Sequence, residues 1–271
     1  MAAPTPGYVF EAAPTDDPDT EQTRSVMMQA LAAMYDPYSI ARLAEHTIPE
    51  TARCLVLGVG ASRIAAHLAD RAPYGEVVAT DTDHTHTVRH PRVRQLTHDI
   101  ATDPLPQGPW DVIHARLLLG HLPQRDTLLA TLADVLQHNG LLVVEELAGT
   151  WPFSVLDAPD LHEADRLYAT YGRAFGAVLA AQGVDLTWSR RVHAHMRNLG
   201  LDVDTQVHAA TWTGNSPGTQ LPWASAGLLR DQLTAHGMAR ADITAFRDLL
   251  RRHDLRVLGN AAVSTIGLRT H

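Results

Sequence analysis

The chain has 271 residues, of which 45% are hydrophobic and 19% charged, and its formal net charge is −8. These values are typical of a globular protein with a full apolar core, and the acidic balance argues against a nucleic-acid partner, which would need clustered basic residues. All 22 basic residues are arginine and Cys54 is the one cysteine, which excludes lysine Schiff-base chemistry, the Walker phosphate loop, disulfide frameworks and cysteine–zinc clusters.

The first predicted elements are an extended arm and a pair of helices. Residues 1–20 are rich in proline, threonine and aspartate, and only Gly7–Phe10 offers apolar bulk. Between residues 23 and 46 the apolar side chains recur at helical spacing on both sides of Asp36-Pro37, which predicts two short helices joined at the proline. We expect residues 1–48 to cover an active site.

The middle of the chain alternates between strand and helix patterns. A helix is predicted after the first strand, and a second over DTLLATLADVLQHNG, beginning at Asp126 and ending at Asn139-Gly140. The connection from 81 to 92 is too short for a full helix. The alternation predicts a mostly parallel sheet built from right-handed crossovers. The strands are predicted at 53–57, 76–81, 92–96, 110–115 and 141–145.

The pattern changes after Thr150. A helical insertion is expected at about 151–185, and a further helix ends at Gly200. VDTQVHAATW alternates like one strand, two helices follow near 221–236 and 241–253, and LGNAAVSTIGLR predicts a last strand. The most economical arrangement is one α/β domain over 49–271, with helical additions at the N-terminus (residues 1–48) and after the fifth strand.

A glycine-rich turn follows the first strand. Gly58-Val59-Gly60-Ala61-Ser62 leads into a helix, where glycines permit a tight turn and the helix N-terminus offers free N–H groups. Asp81 ends the second strand, about 20 residues further on, where a carboxylate can bind ribose hydroxyls. The pair fits either a nicotinamide dinucleotide or S-adenosylmethionine. Arg63 stands where a dinucleotide fold has its third glycine, and Asp99-Ile100 after the third strand suits an adenine ring, so we favour S-adenosylmethionine.

These motifs, with WDVIHARLLLGHL and LADVLQHNGLLVVEE, resemble those of class I S-adenosylmethionine-dependent methyltransferases in order and spacing over residues 50–147. The resemblance implies a Rossmann-like α/β fold whose last strand is antiparallel, plus helical additions. The arm and the C-terminal third look like a group of actinobacterial small-molecule methyltransferases. The implied cofactor-binding set is Gly58, Val59, Gly60, Ser62, Asp81, Thr82, Asp99, Ile100, Ala115 and Arg116.

Two departures from the family pattern lie in the cofactor loop. Val56 replaces the acidic residue two positions before the first glycine, and Ser62 replaces the third glycine. Serine is a good helix N-cap, and its hydroxyl could contact the methionine carboxylate. The departures keep open a protein that uses the bound sulfonium for a cyclisation or rearrangement, and also one that binds no cofactor.

His121, just past the fourth strand, and Glu146, at the end of the fifth, are the predicted catalytic residues, because either could act as general base toward an oxygen or acidic carbon nucleophile. The alternatives are that His121 hydrogen-bonds backbone and that Glu146 is a solvated strand end. We expect transfer to an oxygen, since an Asn-Pro-Pro-Tyr signature of N-methylation is absent after the fourth strand. The pairs His84/His86 and His193/His195 have no clear third ligand, so no metal site is predicted.

The few aromatic residues suggest an apolar substrate pocket beneath the arm, although they could instead pack surface helices. No run approaches the roughly 18 apolar residues of a membrane span, and the N-terminus lacks a signal-peptide pattern. We therefore expect a cytoplasmic enzyme of specialised metabolism that acts on a small molecule without nucleic-acid or membrane partners; a homodimer is left open. The predicted substrate-binding residues are Tyr8, Phe10, Tyr35, Trp151, Phe153 and Trp212.

Overall fold

A computed structural model of the chain describes Phe10 and residues 18–149 and 154–270. The chain folds as two compact units. One comprises residues 1–34, 149–186 and 209–261; the other, here called the sheet unit, comprises 35–148, 187–208 and 262–271. The predicted division at residue 48 and the predicted insertion at 151–185 stay predictions.

The sheet unit contains a seven-stranded sheet in the order β3-β2-β1-β4-β5-β10-β7. Strands β1 to β5 are parallel, and β10 is antiparallel to both of its neighbours. The predicted mostly parallel sheet with an antiparallel last strand is therefore confirmed. The strands are β1 (Arg53–Leu57), β2 (Glu76–Asp81), β3 (Val93–Thr97), β4 (Trp110–Arg116), β5 (Leu136–Leu147), β7 (Asp202–His208) and β10 (Ala262–Leu268).

Helices cover both faces of this sheet because alternate strand residues point to opposite sides. Leu55 and Ile113 belong to a core cluster with the leucines of α3, whereas Cys54 and Val112 belong to a second cluster with the apolar face of α2. A short 3₁₀ turn, Leu119–His121, follows β4. The helices concerned are α2 (Ile64–Arg71), α3 (Arg125–Asp134) and α5 (Val192–Asn198).

The other unit is mainly helical, with a small sheet. Strands β6 (Ser154–Asp157), β8 (Thr211–Thr213) and β9 (Arg256–Leu258) form a three-stranded antiparallel sheet in the order β6-β9-β8. Its helices are α4 (Leu161–Ala181), α6 (Pro217–Leu228), α7 (Arg230–Ala235) and α8 (Arg240–Leu249). Helix α1 (Pro18–Ala44) contributes residues to both units, which divide between Met34 and Tyr35.

Several predicted boundaries are wrong. Helix α1 continues through Pro37, because Pro37 and the Ala33 carbonyl that lacks its N–H donor both lie on an exposed face that water can solvate. Helix α3 ends at Asp134 and begins before Asp126; residues 136–140 instead start β5, with a register shift opposite Trp110. The leucine spacing is compatible with either structure, so periodicity could not separate them.

The remaining corrections concern the C-terminal third. The predicted strand at 203–212 divides into β7 and β8, which belong to different sheets. The predicted helix over 221–236 breaks at Leu229 into α6 and α7, and the last predicted strand breaks into β9 and β10. Strand β6 was not predicted. Short strands and breaks of this kind depend on tertiary pairing more than on local pattern.

Candidate active site

The loop between β1 and α2 contains two glycines whose backbone lies in the left-handed region of φ/ψ space. Gly58 has φ +61° and Gly60 has φ +48°, a conformation that side chains other than glycine adopt at a cost. A Cβ at Gly58 would lie 3.2 Å from the Leu118 side chain. The Val59 N–H donates to the carbonyl of Thr80 at 3.0 Å, so the loop is fixed against the end of β2.

Asp81 joins this loop to the carboxyl edge of the sheet. Its Oδ2 accepts a 2.8 Å hydrogen bond from the Gly60 N–H, and its half-buried carboxylate also receives the Asp83 N–H. Thr82 is exposed beside it. Because Ala115 of β4 pairs with Leu57 of β1, the structure brings the predicted loop, the ribose carboxylate and the end of β4 to one edge.

The predicted adenine pair forms a turn directly after β3. The Asp99 carboxylate accepts from the Ala101 N–H at 2.8 Å and from the Thr102 hydroxyl at 3.2 Å, and Ile100 packs against the core cluster. The N–H of His98 donates to the Asp81 carbonyl at 2.9 Å, which places this turn beside the end of β2. Carboxylate oxygens keep further acceptor capacity, so the turn fits the predicted role.

A buried polar network lies next to these loops, and among its members the sequence analysis predicted Arg116 as a site residue but missed Asp36, Ser39 and His114. Arg116 at the end of β4 donates to Asp36 at 2.6 Å and to Ser39 at 2.9 Å, and the Ser39 hydroxyl donates to Glu145. Glu145 also contacts His114 at 3.2 Å. The one signal in the sequence was that Asp36 and Ser39 interrupt an otherwise apolar helical stretch. Polar residues at such positions can equally belong to the solvent-exposed face of a helix.

The pKa of Glu145 reflects this network. Burial alone would raise it, but the hydrogen bond and charge of His114, the charge of Arg116 and the Ser39 hydroxyl lower it to about 2. Glu145 is therefore an ionised carboxylate at neutral pH. Among these groups, Arg116 carries a permanent positive charge.

Glu146, the next residue of β5, has the opposite character. Its Oε1 accepts the Gly120 N–H at 3.0 Å, and burial raises its pKa to about 7, although the N–H groups of Gly120, Leu118 and Leu119 oppose the rise. A Cβ at Gly120 would lie 3.1 Å from Oε2, so glycine allows the carboxylate to approach. Glu146 is buried, and the alternative of a solvated strand end is therefore wrong.

His121 ends the same 3₁₀ turn. Burial, with a smaller contribution from the Arg125 charge, lowers its pKa to about 4. The imidazole is consequently neutral above about pH 5, so it is able to accept a proton but is a weak base. The two predicted catalytic residues, of which Glu146 is buried and His121 partly buried, thus lie at the carboxyl edge with their pKa values moved in opposite directions.

The predicted substrate-binding residues fall in different parts of the chain. Tyr8, Trp151 and Phe153 lie outside the described residues. Tyr35 is buried in the sheet unit, and burial raises its pKa. In the other unit the carbonyl of Phe10 accepts from Arg24 at 3.0 Å, and Trp212 packs against glycines 218 and 259. The shared pocket stays a prediction.

A family model described as a methyltransferase domain matches residues 32–206, more than half of the chain. The chain belongs to this methyltransferase family. The predicted Rossmann-like fold, the enzyme class and the cofactor are confirmed, and S-adenosylmethionine is the cofactor of this domain. The glycine loop, where a Cβ at Gly58 would lie 3.2 Å from Leu118, and the carboxylate of Asp81 fit that cofactor. The side chain of Arg63 is exposed, so its bulk does not oppose helix packing and Arg63 is no argument against a nicotinamide dinucleotide. The choice of S-adenosylmethionine therefore depends on the family match.

Individual relatives agree with the family. The chain is 34% identical over 108 residues to the trans-aconitate 2-methyltransferase of Variovorax paradoxus (strain S110), and 28% identical over 119 residues to methyltransferase str3 of Strobilurus tenacellus. These alignments cover 38% and 43% of this chain, and 41% and 43% of those two proteins. The chain thus matches less than half the length of both curated relatives.

The solved structures show the same fold. The YcgJ protein of Bacillus subtilis superposes with a TM-score of 0.55 at 16% identity, covering 87% of this chain and 99% of that one.

Among the described residues no group of three histidine, cysteine or carboxylate side chains could hold a metal ion. No helix in the part of the chain that the structure describes has the length and apolar character needed to cross a bilayer.

Proposed function

We propose that this protein transfers a methyl group from S-adenosylmethionine to an oxygen of a small-molecule acceptor in specialised metabolism, and that it is related to actinobacterial enzymes of that kind. The observation that supports it best is the contact between the Gly60 N–H and Asp81 at the carboxyl edge of a parallel sheet, where open α/β sheets bind their ligands. The family match supplies the cofactor.

The cofactor-binding roles follow from this placement. Gly58–Gly60 would line the cofactor with backbone, Asp81 and Thr82 would bind ribose, and Asp99-Ile100 would hold the adenine. Ser62, Ala115 and Arg116 complete the set. When bound, S-adenosylmethionine supplies a methyl group on a cationic sulfur; an aligned nucleophile would bond to the methyl carbon in line, and the sulfur would leave as a neutral thioether without acid assistance.

Glu146 is proposed as the general base toward the acceptor oxygen. A pKa of about 7 matches a base that must be ionised in part of the molecules yet still hold the proton it receives. The three N–H groups that face its carboxylate would orient it and stabilise the ionised form. His121, neutral but weakly basic, would accept or donate a hydrogen bond to the acceptor rather than carry the proton by itself.

An oxygen acceptor is supported by this arrangement and by the relative whose name includes trans-aconitate, a small organic acid. A phenol or enol oxygen would pass its proton to a moderate base such as Glu146, whereas a carboxylic acid is already ionised at neutral pH and needs no base. Of the predicted aromatic residues, Tyr35 belongs to the sheet unit and would add an apolar wall to the acceptor pocket.

The test has two parts. Calorimetry measures binding of S-adenosylmethionine and of S-adenosylhomocysteine, with NAD as a competitor and Asp81→Asn as the variant; we expect about tenfold weaker binding in the variant. Cofactor with a deuterated methyl group is then incubated with a panel of small carboxylic acids, phenols and amines. The deuterated methyl on an oxygen, with release of S-adenosylhomocysteine, is the expected result.

Three results would overturn the proposal, each for a different reason. Label transferred only to nitrogen or carbon removes oxygen methylation. An acceptor that changes while the cofactor is recovered intact favours a rearrangement. A protein that binds neither sulfur compound is not an enzyme of this kind.

A further inference from the structure

The carboxylate of Asp36 is the meeting point of three hydrogen-bond donors within the sheet unit. Asp36 is 5% exposed. Its Oδ1 accepts from the Ser62 hydroxyl at 2.9 Å and from Arg116 at 2.6 Å, and its Oδ2 accepts the Arg63 N–H at 2.8 Å. The helix α1 that carries Asp36 is thereby joined to the glycine loop and to β4.

The start of α2 depends on this carboxylate. Arg63, the N-cap residue, makes no side-chain hydrogen bond to the helix, although the first N–H groups of a helix have no partner within it and favour a negative charge. Asp36 satisfies the Arg63 N–H directly. Ser62 extends the effect, since its hydroxyl donates to Asp36 and accepts the Ile64 N–H at 3.2 Å.

The charge on Asp36 is also held from the other side. Arg116 is a largely buried guanidinium, and its second contact is the neutral hydroxyl of Ser39. A buried charge that loses its partner is strongly unfavourable, so Asp36 and Arg116 hold each other in place. Glu145, which Ser39 also contacts, is the other carboxylate of this network.

We propose that Asp36 is a positioning residue for the cofactor loop: its carboxylate fixes Ser62 and Arg63, and with them residues 58–62, in the conformation that binds S-adenosylmethionine. This inference rests on the proposed function. Its rival is that Asp36 occupies an anion site that the carboxylate of the cofactor must take over. The two predict opposite effects of removing the charge, because a positioning group aids binding and a competitor hinders it.

The experiment compares Asp36→Asn with Asp204→Asn. Asp204 on β7 receives a 2.6 Å hydrogen bond from Arg42, so the control removes the same charge from a second contact of α1 that does not involve the glycine loop. We expect Asp36→Asn to weaken S-adenosylhomocysteine binding by about tenfold and Asp204→Asn by less than about twofold. Ser62→Ala, which removes one of the three hydrogen bonds, should weaken binding by about threefold.

Backbone hydrogen exchange without ligand provides a readout independent of binding. Residues 59–65 should exchange about tenfold faster in Asp36→Asn than in wild type, and at the wild-type rate in Asp204→Asn. Equal affinities in the two Asn variants, or tighter binding in Asp36→Asn, would overturn the inference. A wild-type protein without affinity for the ligand would instead remove the proposed function, and the exchange rates would still decide whether Asp36 fixes the loop.

Discussion

Replacing Glu146 with glutamine is expected to change how the stability of this protein depends on pH. Burial raises the pKa of Glu146 from 4.5 to about 7, so between those values the folded protein keeps a proton that the unfolded chain has released. The free energy of unfolding therefore falls as pH rises through this window. Glutamine cannot ionise, so the free energy of unfolding of the variant lacks this fall with rising pH.

The size of the effect follows from the two pKa values. A difference of one pKa unit corresponds to about 1.4 kcal/mol, so the rise from 4.5 to about 7 amounts to roughly 3 kcal/mol. His121 acts in the opposite sense: burial lowers its pKa from 6.5 to about 4, and its contribution to stability grows as pH rises between those values. The two nearly cancel in wild type, so only the difference between wild type and variant isolates Glu146.

Guanidinium unfolding of both proteins at pH 5, 6, 7 and 8 measures that difference. Relative to Glu146→Gln, wild type should lose about 2–3 kcal/mol from pH 5 to pH 8, and any fixed packing cost of the amide is the same at every pH. Glu145→Gln is the matched control. The pKa of Glu145 is lowered to about 2, so above pH 5 this residue is ionised in both the folded and the unfolded state. The difference in free energy of unfolding between wild type and Glu145→Gln should therefore stay constant with pH. A difference between wild type and Glu146→Gln that also stays constant with pH would refute the reasoning.

Three further outcomes follow from the site. Gly58→Ala should weaken S-adenosylhomocysteine binding by about tenfold in calorimetry, because the residue has φ +61° and its Cβ would lie 3.2 Å from Leu118; unchanged affinity would contradict the loop's role. Gly120→Ala should displace the Glu146 carboxylate and lower kcat about tenfold or more with the KM for cofactor little changed; a KM for cofactor that rises by the same factor as kcat falls would point to unfolding instead. The imidazole NMR signals of His121 should titrate near pH 4, and a midpoint near 6.5 would show that it is not buried.

The strands and glycine motifs could be predicted because their signals are local. Apolar runs such as Arg53–Leu57 and Leu141–Glu145 must be covered on both faces, which favours a parallel sheet whatever the rest of the chain does. Gly58 and Gly60 occupy a turn that few other residues permit. The helix boundaries near Pro37 and Asp134 could not be predicted, because solvation of an exposed carbonyl and a register shift are properties of the folded neighbourhood.

The sequence by itself thus determined the chain order of the strands of the sheet unit and the position of its glycine loop. Only the tertiary structure decided what the charged residues do. Asp36 and Arg116 are 80 positions apart in the chain and their side chains are 2.6 Å apart in the fold, and the adjacent residues Glu145 and Glu146 have pKa values of about 2 and about 7. A carboxylate's ionisation depends on its burial and on the charges and donors around it, and folding brings those groups from distant parts of the chain.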